Sequence, residues 1–124
     1  MEIKSKKEKA GTRILFSGNA TIDSAAQTKE KLLAVLDKSR HVIIDISGLE
    51  RVGIAFLQVL VAAEKSALAA GKSIQLDTAR PSKVFTEAVA KSGFYHGRKK
   101  IVGDYSYPII SAYYTVVTQE GENG

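Results

Sequence analysis

The chain has 124 residues, of which 44% are hydrophobic and 25% are charged. These values are typical of one soluble globular domain with its own core. The absence of cysteine excludes disulfides, a thiol nucleophile and thiolate metal ligands. No apolar run reaches the roughly 18 residues that would span a bilayer, and the start, MEIKSKKEKAG, lacks the apolar core of a signal peptide. We therefore expect a cytoplasmic protein without direct membrane insertion.

The net charge of +5 raises the question of a nucleic-acid or membrane partner. Its basic residues concentrate near the start, in KSKKEK, and in the RKK run at residues 98–100. Charge runs of this kind are usually solvated surface, so we predict no nucleic-acid partner.

Taken in chain order, the pattern predicts alternating elements. A lysine-rich first strand at 2–9 and a β-branched second strand at 12–17 form a hairpin, and Gly18-Asn19 ends it. Apolar periodicity and capping residues then predict helices at 24–36, 54–70 and 82–91, with strands at 41–46 and 73–77 between them. Residues 107–117 carry both strand and helix signals, and we favour a helix.

The centre of the chain is residues 41–71, read as a buried strand, a tight loop at 46–53 and a long helix closed by Gly71. This order predicts an α/β fold: a mixed sheet with an initial antiparallel hairpin followed by parallel strands, and helices packed against it. We expect one domain over residues 1–117 and a flexible tail at 118–124.

The same order resembles the STAS family, which includes bacterial anti-sigma factor antagonists and the cytoplasmic tails of sulfate transporters. The resemblance covers about residues 2–117. It is carried by HVIIDISGLERVG running into a helix, by the Gly71-Lys72 cap and by Ser92-Gly93-Phe94 after the third helix. It implies a regulatory protein that binds a protein partner.

In anti-sigma factor antagonists, the loop before the central helix carries Asp-Ser-Ser-Gly-Leu, and the second serine is phosphorylated. In this chain the corresponding stretch, residues 53–57, reads Gly-Ile-Ala-Phe-Leu, so the acceptor position is Ala55. No Ser, Thr or Tyr occurs from Gly48 to Val61. The family's acidic residue after the second strand falls on Thr21, with Asp23 two positions later. The resemblance therefore implies a docking loop without the phosphorylation switch.

The central helix is apolar around most of its circumference. We expect Leu57, Leu60, Val61 and Leu68 to pack on the sheet. We expect Phe56, Val59, Ala63 and Ala67 to form an outer face, which either docks a partner and favours a homodimer in its absence, or is covered by the last helix. Phe56 is accordingly either a partner anchor or a plug that fills the loop.

Little in the sequence supports catalysis. Asp45 is interpreted as structural, accepting hydrogen bonds from loop amides. His41 and His96 lack carboxylates at metal-ligand spacing, and neither a nucleophile–base pair nor a phosphate-binding glycine loop is present. We therefore predict no enzyme activity, no cofactor and no metal. The predicted partner-binding residues are Asp23, Glu50, Arg51, Gly53, Ile54, Ala55, Phe56 and Val59.

Three functional hypotheses follow from these observations. The first is an anti-sigma factor antagonist-like module that binds a kinase or another sensory signalling protein. The second is a cytoplasmic STAS subunit of a lipid ABC transporter, acting as an assembly factor for the ATPase. The third is a nucleotide or lipid pocket beside Gly53.

Overall fold

The computed structural model describes residues 1–92 and Ile109. Its sheet has four strands in the order β1-β2-β3-β4. They are β1 Glu2–Glu8, β2 Gly11–Ala20, β3 His41–Val52 and β4 Ser73–Leu76. Strands β1 and β2 form an antiparallel hairpin, whereas β2, β3 and β4 run parallel to one another. The predicted mixed sheet is confirmed, with the lysine-rich β1 at one edge of the described sheet.

The described helices are a 3₁₀ turn at Ile22–Ser24, α1 Ala25–Lys38, α2 Ile54–Ala69 and α3 Lys83–Ser92. In the first half of β2 and β3, alternate residues face them, and Ile14, Phe16, Ile44 and Ile46 among these are almost completely buried. Leu32 of α1, Leu57 of α2 and Phe85 of α3 belong to the same hydrophobic cluster. One core therefore lies between one face of the sheet and the helices.

Helix α2 occupies the middle of this core, and Phe56 is its aromatic centre. The Phe56 ring lies edge-on to the rings of Phe16, at 5.5 Å between centroids, and Phe85, at 6.4 Å. With only 1% of its surface exposed, Phe56 is a plug and not a partner anchor.

Of the two alternatives for the predicted outer face of α2, burial contradicts the docking face and supports the covered face. Ala63 and Ala67 are buried and Val59 is half-buried, while Leu68, expected on the sheet, is 63% exposed. A helix that is apolar nearly all round gives no unique direction to the core. Here α2 contacts α1, α3 and β4, so several of its sides are covered.

Strand β3 is longer than predicted. The stretch at 46–53 is not a tight loop, because β3 continues to Val52 beside a β2 that continues to Ala20. The register between β2 and β3 shifts twice, between Leu15 and Ser17 and between Gly18 and Asn19, as it does at β-bulges. The Asp45 carboxylate accepts hydrogen bonds from the Ser47 amide at 2.9 Å and the Ser47 hydroxyl at 2.6 Å. Asp45 thus accepts hydrogen bonds from the irregular stretch, which is the structural role that was predicted for it.

The buried stripe of α1 also differs from the prediction. Leu33 is 40% exposed, although it was expected in that stripe, and Thr28 is buried. Gly71 has φ +71 and ends α2 in a Schellman motif, with Lys72 N donating to Ala67 O at 2.8 Å. The predicted last helix lies outside the described residues except for Ile109, which is helical and buried. The predicted tail at 118–124 also lies outside them.

Candidate functional site

The ends of β2 and β3 bring two short segments together at one edge of the domain. Ala20 pairs with Val52, and the Gly53 amide donates a 2.8 Å hydrogen bond to the Ala20 carbonyl. A Cβ placed on Gly53 would lie 3.6 Å from Cα of Thr21. The 3₁₀ turn that follows β2 therefore lies directly beside the N-terminus of α2, which follows β3.

Ser24 holds the 3₁₀ turn in place. Its buried hydroxyl accepts a hydrogen bond from the Thr21 amide at 3.1 Å and lies within donating distance of the carbonyls of Asn19, at 3.2 Å, and Thr21, at 3.1 Å. The Thr28 hydroxyl then donates to the Ser24 carbonyl at 2.9 Å. The side chains that project from this turn, Ile22 and Asp23, are carried by a well-fixed backbone.

Two large apolar side chains are exposed at this junction, Ile22 at 77% and Ile54 at 52%. They flank the Thr21–Gly53 contact. Asp23, Glu50 and Arg51, which stand next to these two segments in the sequence, are also exposed. We call Ile22, Asp23, Glu50, Arg51 and Ile54 together the isoleucine surface. Exposed apolar groups within a polar rim are typical of protein interaction sites.

The predicted site residues thus divide into two sets. Asp23, Glu50, Arg51 and Ile54 are exposed on this surface, with Gly53 half-buried between its two segments. Ala55 is only 8% exposed and Phe56 only 1%, so neither offers a contact area to a partner, and Val59 is half-buried. Ile22 was missed. A lone isoleucine between a strand and a helix gives no periodic signal.

The opposite face of the sheet carries a charge network. The Arg13 guanidinium on β2 donates to Glu8 of β1 at 3.1 Å and to Asp77, just after β4, at 2.5 Å. The carboxylate of Asp45 on β3, which is 3% exposed, lies 3.9 Å from Arg13 and 3.8 Å from Arg80. The network links all four strands.

The pKa of Asp77 reflects this network. Burial raises it, but the Arg13 hydrogen bond, the Ala79 amide and the positive charges of Arg13 and Arg80 together leave the pKa of Asp77 below its ordinary value. Since all three carboxylates lie within ion-pair distance of Arg13, the arrangement stabilises the sheet.

Glu64 of α2 is a buried carboxylate of another kind. Only 7% of its surface is exposed, and it accepts a hydrogen bond from the Ile109 amide. Burial raises the pKa of Glu64, and this hydrogen bond lowers it by less. No residue among 1–92 and 109 forms an ion pair with it.

Residues 1–92 and 109 contain no group of three His, Asp or Glu side chains that is arranged to hold a metal ion. Within the same residues, no helix combines the length and the apolar character needed to cross a membrane.

The mixed sheet and the buried central helix define a small α/β domain with its helices packed on one face of the sheet. Comparison with known families is consistent with this class: the family model described as "Mlab, STAS domain" matches residues 3–103. The chain therefore belongs to the STAS family. A comparison with curated proteins found no match.

Solved structures share the fold. The chain is similar to the crystal structure of a protein called Mglu, with a TM-score of 0.55 and 12% identity, over 65% of this chain and 20% of that one. It thus corresponds to about a fifth of the Mglu chain. It is also similar to the anti-sigma factor antagonist SpoIIAA in its unphosphorylated form, with a TM-score of 0.52 and 10% identity, over 60% of this chain and 71% of that one. These similarities support the fold alone.

Proposed function

We propose that this chain is a non-enzymatic regulatory module, similar to anti-sigma factor antagonists, that binds a cytoplasmic signalling protein through the isoleucine surface. The carrying observation is that Ile22 and Ile54, 77% and 52% exposed, lie on adjacent fixed segments. Ordered backbone on both sides lowers the conformational entropy that binding would cost. Exposed isoleucines supply the apolar contact, and Asp23, Glu50 and Arg51 supply a polar rim.

The proposed interaction does not use serine phosphorylation at this junction. Ala55, which the family resemblance aligns with the phospho-acceptor, has no hydroxyl and is 8% exposed. A phosphate would add about −1.5 to −2 charges and block an apolar interface by repulsion and desolvation. Since residues 48–61 contain no hydroxyl group, that form of control has no acceptor here.

Affinity capture from the source cell tests the surface. The bait is the full chain, compared with Ile54→Asp and with a matched control, Leu68→Asp, at the opposite end of the same helix. Leu68 is 63% exposed, so both substitutions place a carboxylate at an exposed apolar site. We expect one partner to be retained by the wild type and the control and lost by Ile54→Asp. Equal retention by all three baits would contradict the proposed surface.

A second experiment tests the absence of the switch. The chain is incubated with a related anti-sigma-type kinase and labelled ATP, and the product is mapped by peptide digestion. Within residues 47–61 the label could lie only on Ser47, the one hydroxyl residue in that stretch. Label there would overturn this part of the proposal.

The second candidate is a cytoplasmic subunit of a lipid ABC transporter that assists assembly of its ATPase. The observation that favours it is the hydroxyl-free junction, because a permanent subunit needs no phosphorylation switch. The same capture experiment separates the candidates. Recovery of a transporter ATPase supports the second, whereas recovery of a kinase or sensor protein supports the first.

A further inference from the structure

We propose that a second copy of this chain occupies the isoleucine surface when no other partner is bound, forming a weak two-fold symmetric dimer. This deepens the proposed function and rests on it in one respect: self-association and partner binding would compete for the same residues. The predicted homodimer was based on an outer face of α2 that is in fact buried. The isoleucine surface provides different grounds for it.

The apolar part of the surface is suited to contact with itself. A two-fold interface places the same patch of both copies face to face. Ile22 and Ile54 would then lie against the same two side chains of the second copy, removing four exposed aliphatic groups from water. Both residues are carried by a backbone that is fixed by the Gly53–Ala20 and Ser24 hydrogen bonds, so little ordering is required.

The charges around the isoleucines are also self-complementary. Asp23 and Glu50 are acidic and Arg51 is basic, and within residues 1–92 and 109 none of the three takes part in an ion pair. In a two-fold arrangement, Arg51 of one copy can meet the acidic side chains of the other. A patch of one sign would instead repel its own copy.

The lysine-rich edge of β1 shows the contrast. Its exposed side chains are mainly of one sign: Lys4, Lys6, Lys7 and Lys9. Two copies would repel each other there, as they do overall with a net charge of +5. The isoleucine surface therefore favours self-association more than the β1 edge does.

The size of the surface limits the strength of the dimer. A stable interface buries about 800 Å² on each partner, far more than two isoleucines and three charged side chains provide. We therefore expect a dissociation constant of about 0.1 to 1 mM. A partner with a larger interface would displace the second copy, so the dimer would shield the isoleucines without blocking regulation.

Sedimentation velocity and light scattering from about 10 μM to about 1 mM, at about 0.15 M salt, measure this equilibrium directly. The wild type should show a rising average mass. Ile54→Asp and Arg51→Glu should each raise the dissociation constant about tenfold or more, because each adds unpaired negative charge to the interface. Leu68→Asp, the matched control, should associate like the wild type. Circular dichroism confirms that each variant is folded.

A mixing experiment tests the charge argument separately. One variant is Arg51→Glu, and the other combines Asp23→Lys with Glu50→Lys. Each alone should stay monomeric, because its patch carries one sign, whereas an equimolar mixture should form a heterodimer.

Wild-type protein that stays monomeric throughout would overturn the dimer, as would equal weakening by Leu68→Asp or a mixture that does not associate. None of these results would affect partner capture by the isoleucine surface, so failure of the dimer and failure of the proposed function are distinguishable.

Discussion

Ile54 and Phe56 are two residues apart on α2, and they belong to regions with opposite properties. Phe56 is enclosed by Phe16 and Phe85, and the nearby polar groups of the interior have partners, as Ser24 and Thr28 show. Ile54 is half-exposed, and the exposed charges of Asp23, Glu50 and Arg51 form no ion pairs within the described residues. The interior therefore determines stability, whereas the isoleucine surface contributes little to it. Substitutions in each region test this division.

The largest effect is expected for Phe56→Ala. Removing the ring leaves a cavity between two aromatic side chains, and such truncations cost about 3–5 kcal/mol of unfolding free energy. Urea denaturation followed by circular dichroism measures the loss. A loss below about 1 kcal/mol would mean that Phe56 is not a plug and would remove the interior half of the comparison.

Asp77→Asn tests the charge network behind the sheet. We expect a loss of about 1–2 kcal/mol at pH 7, because the Arg13 hydrogen bond is charge-assisted and partly buried. Because folding lowers the pKa of Asp77, its carboxylate stabilises the fold at pH values above its unfolded pKa. This contribution disappears as the pH falls through the folded pKa.

The acid limb of the stability curve provides the control for Asp77. Below about pH 4 the wild type should lose stability more steeply than Asp77→Asn, since the variant has no carboxylate to protonate there. Parallel acid limbs for the two proteins would contradict the contribution of the Arg13 pair.

Glu64→Gln should stabilise the protein by about 1 kcal/mol at pH 7. The amide oxygen can still accept the hydrogen bond from Ile109, while the desolvated charge is removed. Because the pKa of Glu64 is raised in the fold, wild-type stability falls as pH rises through the folded value. The two proteins should therefore converge in acid, where Glu64 is neutral. Thermal unfolding from about pH 4 to pH 8 measures the difference.

The smallest effect on stability is expected for Ile54→Asp. Exposed substitutions usually change unfolding free energy by less than about 0.5 kcal/mol, and an acidic residue suits the first turn of a helix. The same urea experiment as for Phe56→Ala measures it. A loss comparable with that of Phe56→Ala would show that the surface and the interior are not separate.

Much of the fold could be predicted, because it depends on the periodicity of apolar residues and on helix-capping and turn residues. The order of the elements, the bounds of α2 to within one residue and the cap at Gly71 all follow from such patterns. The extension of β3 could not be predicted from Gly48 alone. A Cβ there would lie 3.0 Å from Cβ of Ser17 and 3.2 Å from the Phe16 carbonyl, so this glycine marks a close strand approach and not a loop.

The sequence predicted a binding site at the junction before α2, but it did not show which side chains there are exposed. Their directions depend on which sides of α2 the other elements cover. These directions depend on tertiary packing, which buries Phe56 and leaves Ile54 exposed. The contribution of Ile22 depends on a single 3₁₀ turn stacked beside Gly53, for which the sequence carries no repeat.

The placement of Met1 determines where a fusion tag can be attached. Cα of Met1 would lie 3.5 Å from a Cβ on Gly18, close to the end of β2 that leads to the 3₁₀ turn. The Lys9-Ala10 turn lies at the other end of the same strand. An affinity handle or fluorophore joined before Met1 would lie near Gly18, toward the end of β2 that leads to Ile22, whereas one inserted in the Lys9-Ala10 turn would lie at the far end of that strand.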